Sequence, residues 1–308
     1  MSEGWGEVSS ETVGSAVLRR YIGRRLETLR KRAGLTQEQA AEELQKGRTT
    51  IARWEEGHEN VRFRDVDVKA LLSIYGAGDD DLKVLLALTA ETRNGRRKSW
   101  WHDYTETALP TWFGLYVTLE DSSETIRQYE SELIPGLLRT PTYAEEVARV
   151  PPGYVAEEEI ARRVQVRVER QSLLTRPRAP HVQVILNQAV LHRPVGGNHA
   201  MAQQLDHLLE MGVKTNVSIR IVPFSAGVHG GMAACGPFTL LDFPAGADGD
   251  PLEPPLAYAE TLTGAMYLQK PDEVNAYRLA WSDLEKRALN QKASMRMISE
   301  AQKGYTRG

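Results

Sequence analysis

Arg48, Thr49 and Arg53, with Lys46 just ahead of them, are the residues whose types and spacing best fit a chemical task. An arginine fork can hold O6 and N7 of guanine together, and a threonine can bond a phosphate or touch a thymine methyl. Carried on one short helix, they would present a row of such groups to a major groove, which admits a single helix. Thr50 adds a second hydroxyl. Thr36 and Gln37 open the preceding helix, whose amide-rich N-terminus suits a phosphate. The chemistry implied is the reading of duplex DNA.

Two helices joined by a tight turn must position these groups. The first runs through Leu35, Ala40, Ala41 and Leu44, with Thr36 as N-cap and Gln39 in the reciprocal capping position. The second has Ile51 and Trp54 as core residues on one face and stops at Gly57. Neither can bury enough apolar surface alone. Val17 to Ala33 supplies a third helix, with Val17, Leu18, Tyr21, Ile22, Leu26 and Leu29 at helical spacing. The pattern is a helix-turn-helix, completed by helices at Asp65–Tyr75 and Asp79–Glu91.

The charge follows the same division. The chain carries a formal net charge of −3. Residues 17–76 hold 13 Lys+Arg against 9 Asp+Glu, and the remainder holds 25 against 32. A basic module joined to an acidic one suits a protein that grips a polyanion at one end. At 308 residues there is room for two domains. No run approaches the roughly 18 apolar residues of a membrane span. Neither a secretory signal nor a cysteine framework is visible, since Cys235 stands alone, and a reducing cytoplasm is expected.

The expected architecture is multi-domain: an all-α five-helix domain, then an α+β domain with a small mixed sheet. The boundaries read as a mobile tail over 1–16, the helical domain over 17–92, a linker over 93–99, the α+β domain over 100–290 and a C-terminal helix or tail over 291–308. The linker's Arg93, Arg96, Arg97 and Lys98 are either solvated or add phosphate contacts. In the second domain, periodicity gives helices near Trp101–Leu109, Pro141–Val150, Ala156–Leu174, Ala200–Met211 and Pro271–Ala288. Strands are expected at His181–Leu186, Val217–Val222, Phe238–Phe243 and Leu256–Thr261. The helix over 156–174 is expected to bury Ile160, Val164, Val168 and Leu173 or Leu174 and to turn Arg162, Arg163, Arg167 and Arg170 largely outward, as a solvated surface, an acidic-partner surface or a second DNA contact.

The run from Leu35 to Gly57 resembles the XRE (Cro/phage repressor) family, with its apolar-Thr-Gln start and its Thr-Ile-x-x-Trp-Glu-x-Gly end. The likeness covers about the first quarter of the chain. It departs in the turn, where the family has glycine, an apolar residue and a capping serine, and this chain has Gln45, Lys46 and Gly47. The resemblance implies a partly buried pair between Arg30 and Glu55. Leu133–Ala144, Glu158–Leu174, Leu191–Gly197 and Val222–His229 with Gly236–Phe238 together resemble WhiJ-like, antitoxin-like regulators. That resemblance implies a transcriptional regulator with a small partner protein encoded nearby, or an antitoxin-like protein that neutralises a partner and regulates its own operon. A homodimer is expected, because one helix-turn-helix reads only a few base pairs.

The loop from Ser225 to Gly236 carries four glycines with His229 and Met232 between them. It is either a plain mobile loop or a cover for a ligand or partner peptide, with His192, Arg193, Ser225 and His229 as candidate contacts. Seven histidines are present, none in a His-Glu-x-x-His array. There is no nucleophile elbow and no phosphate-cradling glycine run. No catalysis, cofactor or metal is expected. Trp100, Trp101, Trp112 and Phe113 near the junction are candidates for dimer contacts or for intradomain core.

Overall fold

A computed structural model of the chain describes residues 13–58, 61–93, 111–152, 155–234, 236–245, 254–262 and 264–306. The expected helix at 101–109, most of the linker, Trp100, Trp101 and Cys235 lie outside them. The chain divides into two compact units, Met1–Trp100 and Trp101–Gly308.

Among its described residues the first unit has five helices: α1 (Val13–Arg32), α2 (Gln37–Glu43), α3 (Arg48–Glu56), α4 (Asp65–Ile74) and α5 (Asp79–Arg93). Helix α1 therefore begins inside the segment read as tail. It packs on α3 and α5 and buries Leu18, Ile22, Leu26 and Leu29. At Gly23 the contact leaves no room for a side chain, since a β-carbon there would overlap the carbonyl oxygens of Trp54 and Glu55. One stop recurs. After α1, α2, α3 and α4 the chain turns through a left-handed residue, at Gly34, Gln45, Gly57 and Gly76. In each case two amides return to carbonyls of the last turn, as in the bonds Lys46 N–H to Ala41 and Gln45 N–H to Glu42 that close α2.

The second unit is built on a six-stranded sheet in the order β3-β2-β1-β4-β5-β6. Its strands are β1 (Thr125–Glu130), β2 (His181–Asn187), β3 (Val217–Val222), β4 (Phe238–Asp242), β5 (Leu256–Thr261) and β6 (Gly264–Leu268). The first three are parallel and the rest antiparallel, so the sheet is mixed. Parallel pairs need crossovers. Between β1 and β2 these are α7 (Pro141–Ala148) and α8 (Glu157–Arg170), and between β2 and β3 it is α9 (Gly197–Met211). Helix α6 (Thr111–Ser122) precedes β1, the single turn α10 (Gly230–Ala233) precedes β4, and α11 (Pro271–Arg287) and α12 (Gln291–Thr306) close the chain.

One sheet face carries Tyr129, Ile185, Val222, Phe238, Leu240 and Ala257, buried with Val274, Trp281 and Leu284 of α11. The opposite face carries Gln128, Thr239 and Tyr258 in one register row, with Glu130 and Glu260 two residues on. Tyr116 of α6 lies 4.3 Å from the Tyr258 ring on that side. At the β3 edge, α12 supplies the missing partners: Gln291 accepts from the Ile219 amide at 3.0 Å and Ser294 from the Ile221 amide at 3.0 Å. The last amphipathic stretch is thus a packed helix through Thr306. Among the described residues no helix is long and apolar enough to cross a membrane.

Candidate nucleic-acid interface

Helix α3 is held from behind. Ile51, Trp54 and Glu55 are its buried residues. Glu55 receives Nε of Arg30 at 2.6 Å and Nη2 at 2.8 Å, a two-pronged pair with side chains only 8% and 5% exposed. The Glu55 hydrogen bond raises the Arg30 pKa above its ordinary value. Arg30 also donates to the Leu35 carbonyl at 2.8 Å, and Gln37 donates to Glu55 at 2.9 Å. One carboxylate therefore ties together the end of α1, the start of α2 and the end of α3. Such charge-assisted, planar pairing fixes relative orientation as well as distance.

The opposite face of α3 is open. Arg48, Thr49 and Arg53 are exposed and Thr50 is half-buried. Thr49 and Arg53 are four residues apart and share a face. Arg48 forms an exposed ion pair with Glu38 at 2.7 Å, and Lys46 reaches Asp67 at 3.7 Å. An exposed pair such as Arg48–Glu38 contributes about 0–1 kcal/mol, so a phosphate or a base can displace it. Arg53 has no carboxylate partner among the described residues.

Thr36 is the N-cap of α2, with its hydroxyl accepting from the Gln39 amide at 3.2 Å and the Gln39 side chain accepting from the Thr36 amide at 2.8 Å. Gln37 corrects the sequence reading in part: its amide nitrogen is turned inward to Glu55 and braces α3. In the turn, Gln45 takes φ 54°, the left-handed conformation usually left to glycine, and Gly47 is the N-cap of α3. The turn thus keeps its geometry without glycine at that position.

Two cations were missed by the sequence reading. After α3 the extended segment 61–64 buries Val61 and Phe63 and leaves Arg62 and Arg64 exposed. Phe63 packs against Trp54, ring centres 6.3 Å apart, which anchors this basic pair beside the end of α3. The alternation Val-Arg-Phe-Arg was the available signal.

In the second unit, the candidates His192, Arg193, Ser225 and His229 fall into separate roles. His192 is stacked near Phe224 at 6.3 Å, Arg193 pairs with Glu132, and Ser225 is exposed. His229 is buried, edge-on to Tyr129 at 5.7 Å and 3.4 Å from Asn187. Burial lowers its pKa. The glycine-rich segment is not an open loop over its described residues. A β-carbon on Gly230 would overlap the backbone of Ala280, and one on Gly231 would overlap the Tyr129 ring. Gly230 also donates to Asp283 at 2.8 Å. Gly230 and Gly231 serve close packing, while Phe224, Val228 and Met232 stay exposed.

Helix α8 corrects a second expectation. Arg170 is turned inward, bound through Nε and Nη2 to Glu120, both at 2.9 Å, and lies over the Phe113 ring. Arg167 also lies over Phe113, at 5.2 Å, while Arg162 points outward. Phe113 is buried in this unit.

Residues 113–300 match the model of a domain of unknown function (DUF5753), more than half of the chain. The chain belongs to the DUF5753 family. Ahead of the DUF5753 domain, residues 22–85 match a helix-turn-helix domain, which spans α2, the turn and α3. The chain therefore joins a helix-turn-helix DNA-binding domain to a DUF5753 domain with an α+β fold. No curated protein and no solved structure gives a match.

Proposed function

We propose that the chain is an XRE-type, sequence-specific transcriptional regulator that binds its operator as a homodimer. Helix α3 reads bases through Arg48, Thr49 and Arg53, while Thr36, Lys46 and Thr50 contact phosphates. Arg62 and Arg64 add phosphate contacts beside it. The DUF5753 domain has no catalytic role and regulates the protein through a small partner protein or ligand, as in the WhiJ-like regulators that it resembles. The observation that carries this reading is the open Thr49–Arg53 face on a helix fixed from behind by Arg30 and Glu55.

A second reading is an antitoxin-like protein that neutralises a partner and regulates its own operon. It is favoured by Phe224, Val228 and Met232, three large apolar side chains exposed within one segment of the DUF5753 domain.

Selection of bound duplexes from a random pool by the full-length protein tests the first reading. A single motif with two half-sites about one helical turn apart is expected, with a dimer in sedimentation at micromolar concentration. A pool with no shared motif, or a monomer that binds one half-site as tightly as two, contradicts it.

A further inference from the structure

Between α6 and the far end of α8 lies a cavity of about 210 Å³. Two ion pairs bridge its walls. The inner one joins Arg170 to Glu120, with side chains 9% and 1% exposed, and Nε and Nη2 each lie 2.9 Å from a carboxylate oxygen. The outer one joins Arg176 to Asp121, 34% and 65% exposed, with Nη1 2.6 Å from Oδ1 and Nη2 on the Asp121 carbonyl. The inner pair is planar and two-pronged, so it sets the separation of the two walls as well as their orientation.

Both guanidiniums are therefore occupied by partners of their own. Glu169, on the α8 wall, meets no cation among the described residues. Gln165 donates to its Oε1 at 2.9 Å, and Oε2 is left open. Asp121 keeps Oδ2, and the Ser172 hydroxyl, which donates to the Glu169 carbonyl at 2.7 Å, keeps its lone pairs. On the lining, the carboxylates of Glu120, Asp121 and Glu169 stand against the guanidiniums of Arg170 and Arg176, a net charge of −1. What the cavity still offers is acceptor oxygen and negative charge.

The rest of the lining narrows the choice of cation. Val117 and Leu173 give the cavity an apolar wall. Among the described residues no three His, Cys, Asp or Glu side chains are placed to hold a metal ion. Separated acceptors beside an apolar wall suit a cation that brings its own N–H donors on a short hydrocarbon chain. At about 30 Å³ for each water the volume equals roughly seven waters, which limits such a ligand to about as many heavy atoms.

We propose that this cavity binds a small organic cation, an ammonium or guanidinium group on a short aliphatic chain. Its N–H groups meet Glu169, Asp121 and Ser172, and its chain lies on Val117 and Leu173. The inference gives the regulatory reading a class of ligand and rests on that reading for its purpose only. Its test contains no DNA, so its failure leaves the operator account standing.

The test is calorimetric titration of the full-length protein with butylammonium, butylguanidinium and tetramethylammonium chlorides, at ionic strength matched by sodium chloride. Saturable one-to-one binding of butylammonium or butylguanidinium is expected, with Kd on the order of 1 mM for so small a probe. The tighter of the two names the ligand's head group. Tetramethylammonium carries the same charge without N–H donors and is expected not to saturate. Glu169→Gln is expected to weaken binding about tenfold or more, with the melting temperature level because Glu169 is exposed. Glu158→Gln, the same change of charge at an exposed position in the first turn of α8, should leave the affinity unchanged. No saturable binding of either N–H cation overturns the proposal. So does equal binding of tetramethylammonium, wild-type affinity in Glu169→Gln, equal loss in Glu158→Gln, or a Glu169→Gln protein that no longer melts cooperatively, which assigns Glu169 to the fold.

Discussion

Glu55 accepts hydrogen bonds from two side chains on two other segments, so the orientation of α3 depends on one carboxylate. Removing either partner of a buried pair strands the other charge and loses about 3–5 kcal/mol, against about 0–1 kcal/mol for an exposed pair. Arg30→Met and Glu55→Met are each expected to lose the larger amount in denaturant melts. The double variant should lose far less than the sum of the two. Strict additivity in that double-mutant cycle shows that the pair does not hold the module together. Gln45 illustrates a different residue-scale point. A side chain in the left-handed region is unfavourable by about 1–2 kcal/mol, yet the two turn-closing hydrogen bonds after α2 impose that conformation. The sequence reading noted glycine's absence there, but the flanking bonds that enforce the turn belong to the assembled helices.

At the scale of elements, α12 covers a sheet edge that would otherwise offer unpaired amides to another strand. Gln291→Ala and Ser294→Ala each leave a β3 amide without its acceptor and are expected to lose about 1–3 kcal/mol. Amide exchange should quicken at Ile219 in the first variant and at Ile221 in the second. Unchanged exchange at both positions shows that α12 does not cap the edge. The elements that were legible in advance carried strong local signals. Thr36 and Gln39 marked the start of α2, and the apolar alternation of Val217–Val222 marked β3 with its observed bounds. Strand β1 was not legible, because Thr125-Ile126-Arg127-Gln128-Tyr129-Glu130 places polar side chains on both of its faces. Helix α6 is apolar nearly all round and has no period to read. The arginines of α8 were assigned to solvent because a helix with a buried charged side has the same pattern as one with an exposed charged side. Glu120 and Phe113 on α6 decide the matter for Arg170 and Arg167, and both are remote in sequence.

Across the whole molecule, the division of labour follows the division of charge. Residues 17–76 carry the cationic excess and the open face of α3, and the acidic remainder carries the sheet and the exposed apolar side chains of 224–232. Nonspecific affinity for a polyanion requires only the first of these properties. In the proposed reading Arg53 meets a base edge and Lys46 a phosphate. These contacts differ in a measurable way, because base contacts set the ratio between specific and nonspecific affinity and phosphate contacts set the salt dependence. The direct test is the affinity of full-length protein for its selected operator and for a scrambled duplex, across a salt series, in wild type, Arg53→Ala and Lys46→Ala. Arg53→Ala is expected to lose about 1–3 kcal/mol on the operator alone and to relax preference at one position per half-site. Lys46→Ala is expected to weaken both duplexes alike and to lower the salt slope by about one. A wild-type protein that binds both duplexes equally, or an Arg53→Ala variant that weakens both to the same extent, contradicts the assignment of α3 as the reading helix.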